Sequence, residues 1–263
     1  MPFVAMRVFG HEPVEITADW GLRDLKPGMA YTLCNSLQCR ECGLLFLDYR
    51  FTEFQMAALY RGYRDAEYTR QRDRYEPGYA SRAALDYRGR HVYLAAVEAW
   101  LAPWLPERPS VLDVGGGSGV NSLFLGRSKL LHVHDISGTE TVAGAEQVDS
   151  SVIARTKYDL VACCQVLEHL PFPLDLIEQM LPAIGAETLV YLEVPVEALV
   201  RDRAPNLARL KRHWHEHVNF FTEDSIRRLC RRAGLEIIQH QVMPVDLGAL
   251  SGEIMGFLAR RLP

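Results

Sequence analysis

From residue 110 onward, short, mostly apolar runs recur along the chain. They are SVLDV (110–114), LLHVHDI (130–136), YDLVACC (158–164) and TLVYLEVP (188–195). Runs this short and this rich in apolar residues are the pattern of strands buried on both faces. Between them the apolar spacing lengthens to the helical period in NSLFLGR (121–127), LDLIEQMLPAI (174–184) and TEDSIRRLCRRAG (222–234). The last of these carries its own boundaries: Thr222 as N-cap, Glu223 and Asp224 in the first turn, and Gly234 as the stop. LEIIQHQ and EIMGFLA predict the final strands. Upstream, Tyr93, Leu94, Val97, Trp100 and Leu101 fall at helical spacing, and that helix stops at Pro103. Strands alternating with helices predict an α/β domain with a doubly wound, mainly parallel sheet over residues 81–263. Residues 196–221 form an insertion after the TLVYLEVP strand. Residues 1–80 read as a small amino-terminal appendage, with three cysteines and then a tyrosine- and arginine-rich segment.

Composition narrows the class. Hydrophobic residues make up 48% and charged residues 24% of the 263, which is ordinary for a globular chain. A net charge of −4 supplies no overall basic field for nucleic acid. No apolar run reaches the length of a membrane span, and MPFVAMRVFGHEPVEI lacks the form of a signal peptide. Six cysteines in a chain this long do not make a small disulfide framework. The expectation is a reduced, cytoplasmic enzyme whose partner is a small molecule, with no membrane or nucleic acid involved.

The most informative stretch is VLDVGGGSG (111–119). A buried strand delivers the chain to a loop where Gly115, Gly116 and Gly117 leave no side chain in the way of a ligand. A helix is expected to begin near Gly119, its N–H groups facing the same crevice. Glycine loops also serve dinucleotides, so two acids decide the reading. Asp113, just before the glycines, would repel a pyrophosphate but suits an ammonium group. Asp135, at the tip of the second strand, is positioned to accept two ribose hydroxyls. The alternative is a structural turn with two solvated aspartates.

Together, VLDVGGGSG, Asp135, YDLVACCQVLEHL and LVYLEVP resemble the motifs of class I S-adenosylmethionine-dependent methyltransferases over about residues 80–260. The resemblance implies a Rossmann-like, seven-stranded sheet. It also implies that Asp113, Gly115, Gly116, Gly117 and Gly119 surround the methionine part of the cofactor. Asp135 would hold the ribose, Ile136 would lie beside the adenine, and Gln165 would approach the methionine end. Glu168 and His169 of VLEHL would line the methyl-transfer pocket, or else serve as a helix-start acid and a turn histidine.

RHWHEHVNFF (212–221) places His213, His215 and His217 at alternate positions. Three readings are open: a metal clamp, a general base, or structural hydrogen bonds by His217 and Asn219 with Phe220 and Phe221 in the core. WHEHVNFFTEDSIRRLCRRAG resembles a subgroup that includes deoxysugar C-methyltransferases, in which a Tyr-x-Glu-His run supplies the base region. Glu216 and His217 match its last two residues, and Trp214 stands at the tyrosine's place. The resemblance therefore implies His217 as base with Glu216 as its partner. It also implies a sugar or sugar nucleotide as methyl acceptor, with a quinone- or polyketide-type O-methylation as the rival. A non-catalytic cofactor-binding protein is the alternative of another class. The basic run 201–213 either holds phosphates of such a substrate or is a solvated face.

That subgroup often begins with two cysteine pairs that bind zinc. Here Cys39-x-x-Cys42-Gly43 is one half of such a ribbon, with Cys34 and His11 as further candidate ligands. A metal-free remnant is expected. Tyr60, Tyr63, Tyr68, Tyr75 and Tyr79 are candidates to meet substrate, in the segment that covers the active site in related enzymes.

Overall fold

The computed structural model describes residues 2–10, 14–20, 28–30, 36–86, 89–197, 217–246 and 251–262. Twelve strands are defined among them. In the appendage these are β1 (Val14–Ile16), β2 (Gly28–Ala30), β3 (Ser36–Gln38) and β4 (Leu45–Leu47). The main domain supplies β5 (Ser110–Val114), β6 (Leu130–His134), β7 (Glu146–Gln147), β8 (Leu160–Cys164), β9 (Leu189–Pro195), β10 (Asn219–Phe220), β11 (Leu235–Asp246) and β12 (Ser251–Arg261). The helices are α1 (Pro2–Phe9), α2 (Glu53–Tyr60), α3 (Ala66–Tyr75), α4 (Tyr79–Asp86), α5 (Leu94–Leu101), α6 (Ser150–Ile153), α7 (Pro173–Met180) and α8 (Glu223–Arg232).

The expected doubly wound sheet is present. Its strand order is β11-β12-β9-β8-β5-β6-β7, parallel from β9 to β7, with the β11–β12 hairpin added antiparallel at one edge. The apolar runs form the middle of this sheet because both faces are covered. Leu112, Val161, Val190 and Leu192 are fully buried in one core, and Val111, Leu160 and Leu258 in the other. Each such side chain contributes about 1.5–3 kcal/mol of burial. From β5 the chain goes to β6 on one side, and β8 returns on the other. That change of direction opens a crevice at the carboxyl ends of β5 and β8, where ligands bind in open parallel sheets.

α8 has the boundaries its sequence announces. Thr222 forms a reciprocal capping box with Ser225, and Gly234 follows the helix at φ +73°. The expected helix over 121–127 does not form; the chain runs in turns from Gly115 to Ser128. Gly119, Phe124 and Gly126 all take positive φ, which interrupts a right-handed helix three times. Neighbours fix the turns in place. Arg90 donates to the carbonyls of Val120 and Ser122, while buried Glu98 of α5 accepts from the Phe124 amide and from Arg90 and Arg127. Tertiary contacts override a weak local helical period.

The appendage does not stand apart. β3 and β4 pair with β10 in a second, antiparallel sheet, Phe220 opposite Leu45. Phe3, Leu45, Leu59 and Tyr68 share one core with Val218 and Phe220. Cys39 and Cys42 sit in the turn between β3 and β4, closed by the Gly43 amide donating to the Cys39 carbonyl at 2.9 Å. Backbone amides, first that of Cys42, draw the Cys39 thiol down, and burial pushes the Cys42 thiol up. Cys34 and His11 lie outside the described residues, as do Glu216, His213, His215 and the basic run 201–213. Among the described residues no helix is long and apolar enough to cross a membrane.

Candidate active site

The carboxyl ends of β5, β6 and β8 bring most of the expected cofactor residues together. Gly115 leaves β5 at φ +79° and donates to the His134 carbonyl at 2.8 Å. A Cβ on Gly115 would lie 2.4 Å from Val166, and one on Gly116 would lie 2.3 Å from the Asp113 carboxylate. Side chains are therefore excluded by the residues beneath the loop. At Gly117 the situation is reversed: φ is +58° and a Cβ would meet nothing within 4 Å. This part of the loop floor is open.

Asp135 braces that loop from the next strand. Its Oδ2 accepts the Gly117 amide at 2.8 Å and its Oδ1 the Ser137 amide at 2.7 Å. Ile136 beside it is 65% exposed, which leaves an apolar face open to stacking on a flat ring. Asp113 lies deeper. It is buried under Gly116 and accepts the Ser122 hydroxyl at 2.5 Å. Burial, with smaller repulsion from Asp135 and Glu193, raises its pKa from 3.8 to about 6 despite the Ser122 hydrogen bond.

That shift has a sign. The folded chain prefers protonated Asp113, so the group's stabilising contribution is complete below its unfolded pKa and is lost as pH rises through about 6. The span corresponds to about 3 kcal/mol. The Tm of the ligand-free protein is expected to fall over this range, and Asp113→Asn to flatten that part of the curve. Thermal melts of both proteins across pH provide the check; identical profiles would mean that Asp113 does not titrate there.

Gln165 follows β8 at φ +57°, a left-handed conformation rare for a non-glycine residue. Glu193 of β9 holds it there: its carbonyl accepts the Gln165 amide at 2.9 Å and its Oε1 accepts Gln165 Nε2 at 3.1 Å. Glu193 is fully buried, and Tyr93 (3.0 Å) and Tyr191 (2.7 Å) also donate to it. Burial raises the Glu193 pKa, while these donors lower it. Sequence reasoning assigned no role to Glu193 or Tyr93. The available signal was a carboxylate inside an otherwise apolar strand, which needs buried partners.

One turn beyond Gln165 lies the second half of the site. The carbonyl of Glu168 accepts the amides of Val218 (2.8 Å) and Asn219 (3.0 Å), and Asn219 Nδ2 donates to the carbonyls of Leu167 and Leu170. Asn219 thus has the structural role weighed for it, and Phe220 and Phe221 are core residues. This lock draws His217 against His169, with ring centroids 4.6 Å apart and planes at 85°. The carboxylate on His217 is that of Glu197, its Oε1 2.7 Å from Nδ1. The expected partner, Glu216, is outside the described residues, and sequence analysis did not single out Glu197. Of the candidate tyrosines, Tyr60 comes against His169, edge-on at 6.1 Å. Tyr68 and Tyr79 are buried in the appendage core, the first against Phe3 and the second under Arg72.

This geometry can be set beside known proteins. No curated protein sequence matches the chain significantly. The fold resembles that of Burkholderia thailandensis 1,6-didemethyltoxoflavin-N1-methyltransferase, solved with 1,6-didemethyltoxoflavin and S-adenosylhomocysteine. The TM-score is 0.55 at 12% identity, over 88% of this chain and 100% of that one. An S-adenosylmethionine-dependent methyltransferase from Clostridium acetobutylicum gives a TM-score of 0.47 at 11% identity, over 74% and 99%. One from Methanosarcina mazei gives 0.46 at 18%, over 62% and 97%. At these identities the likeness concerns the fold alone. Residues 85–240, more than half of the chain, match the family model described as a methyltransferase domain. The chain belongs to the methyltransferase-domain family.

Proposed function

We infer that this methyltransferase moves the methyl group of S-adenosylmethionine to an oxygen or carbon of a small molecule, with a sugar or sugar nucleotide as the preferred acceptor. One observation carries the reading: a single turn, residues 165–169, joins the glycine-loop crevice to the paired histidines. A methyl donor in the crevice and an acceptor at the histidines would meet over that turn.

The residues fit the cofactor. Gly117 leaves room on the loop floor, and the Asp135 oxygens retain lone pairs for ribose hydroxyls beyond the two amides they accept. Ile136 offers an apolar face to the adenine. Asp113, held part-protonated by burial, would regain its charge beside the cofactor's ammonium. Gly115, Gly116 and Gly119 shape the loop around the methionine part, with Gln165 at its end. When bound, the cofactor supplies an electrophilic methyl on a sulfonium.

At the acceptor side, His217 is the base. With Nδ1 on Glu197, the lone pair lies on Nε2, and the carboxylate orients the ring. Glu216 remains a second candidate for that orienting role. The sugar preference is supported by the likeness of residues 214–234 to the deoxysugar subgroup. The test is methyl transfer from labelled S-adenosylmethionine to a panel of nucleotide sugars and phenolic acceptors. Labelled nucleotide sugar is the expected product; label on phenols alone would replace the acceptor class.

A further inference from the structure

We propose that Glu168, His169 and His217 bind a divalent transition-metal cation, which in turn binds the oxygen of a methyl acceptor. Among the described residues this is the one group of three such side chains whose ligand atoms converge, all within 4.8 Å of one another. Two imidazoles and a carboxylate are the donor set of sites that keep positions open for substrate.

The independent observation is Glu168 itself. Its side chain is 1% exposed, and neither carboxylate oxygen has a hydrogen-bond partner among the described residues. The nearest cationic candidate, His169 Nε2, stands 4.0 Å from Oε1. A buried carboxyl with no donor is costly. A cation removes that cost. The surroundings are also prepared for one. Glu197 holds His217 through Nδ1, the carboxylate–histidine arrangement that fixes a metal ligand's ring and raises its basicity. Hydrogen bonds from Val218 and Asn219 to the Glu168 carbonyl keep the two halves of the site together. Donors bound at about 2.0–2.1 Å lie roughly 3.3 Å apart around a tetrahedral ion, so the three ligand atoms, within 4.8 Å of one another, must draw together on binding.

Nitrogen donors favour zinc, copper, iron or nickel over magnesium or calcium. This inference rests on the proposed function and refines His217. With the ion bound, the ring is a ligand. The acceptor hydroxyl coordinates the cation and releases its proton to solvent. Its oxygen lone pair then forms the bond to the methyl carbon as the carbon–sulfur bond breaks, its electron pair passing to sulfur.

The test uses metal-stripped, full-length protein carrying Cys39→Ser and Cys42→Ser, so that thiols do not compete, titrated with Co²⁺ alone. A saturable visible ligand-field band at one equivalent is expected. His169→Ala, His217→Ala and Glu168→Gln should each weaken it at least about tenfold, while all bind S-adenosylhomocysteine like the parent. Absence of the band, or a band indifferent to these changes, overturns the site. The two readings fail separately. Cobalt binding without S-adenosylhomocysteine binding sinks the methyltransferase reading and leaves the metal site. The converse sinks the metal site alone.

Discussion

Asp135→Ala is expected to weaken S-adenosylhomocysteine binding by at least about 100-fold. In the proposed complex the carboxylate accepts two ribose hydroxyls, and hydrogen bonds to a charged group contribute about 1.5–3 kcal/mol each. Asp135 also fastens Gly117 and Ser137 through their amides, so its removal loosens the loop it braces. Binding should fall further than the lost hydroxyl contacts alone require. Asp135→Asn separates the two effects: one oxygen remains for the Gly117 amide, but the charge is gone, and an intermediate loss of roughly tenfold is expected. Calorimetry on both variants, with melting curves as the control for folding, measures this. Unchanged affinity in Asp135→Ala would remove the residue from the ribose role.

The second large effect is at His217. His217→Ala should leave S-adenosylhomocysteine affinity within about twofold and lower kcat by about 10²–10⁴, the range for loss of a positioned base. The separation is geometric: His217 reaches the site from beyond Gln165, on a segment anchored by Glu168 and Asn219. Glu197→Gln keeps a hydrogen bond to Nδ1 but removes the carboxylate charge beside the ring, so a smaller fall, about tenfold, is expected. Both readings of His217, base or metal ligand, predict the loss of turnover; only the second makes turnover depend on an added cation. Full activity in His217→Ala would make the histidine structural.

The parts of the molecule legible from sequence are those fixed by local chemistry. β5, β6, β8 and β9 are apolar runs because the sheet is covered on both faces, and α8 is bounded by its own Thr222 and Gly234. The glycine loop was legible because close approach excludes every other residue at Gly115 and Gly116. What sequence missed depends on distant partners. Residues 121–127 have a helical period, yet Arg90 and Glu98 hold them as turns from another element. Glu197, twenty positions before His217 in the chain, supplies its carboxylate, a pairing that no local spacing announces. Glu193 binds Gln165, Tyr93 and Tyr191 across three elements, and only its burial in an apolar strand hinted at a role. The amino-terminal appendage completes its sheet with β10 from the far end of the insertion, a pairing across more than 170 positions that no local spacing announces.

The most direct test of the account is calorimetric titration of the purified chain with S-adenosylmethionine and with S-adenosylhomocysteine. Saturable binding at one site per chain, lost in Asp135→Ala and retained in His217→Ala, is the predicted result. No binding of either ligand to a folded sample would contradict the proposed donor and leave the glycine-loop crevice without its ligand.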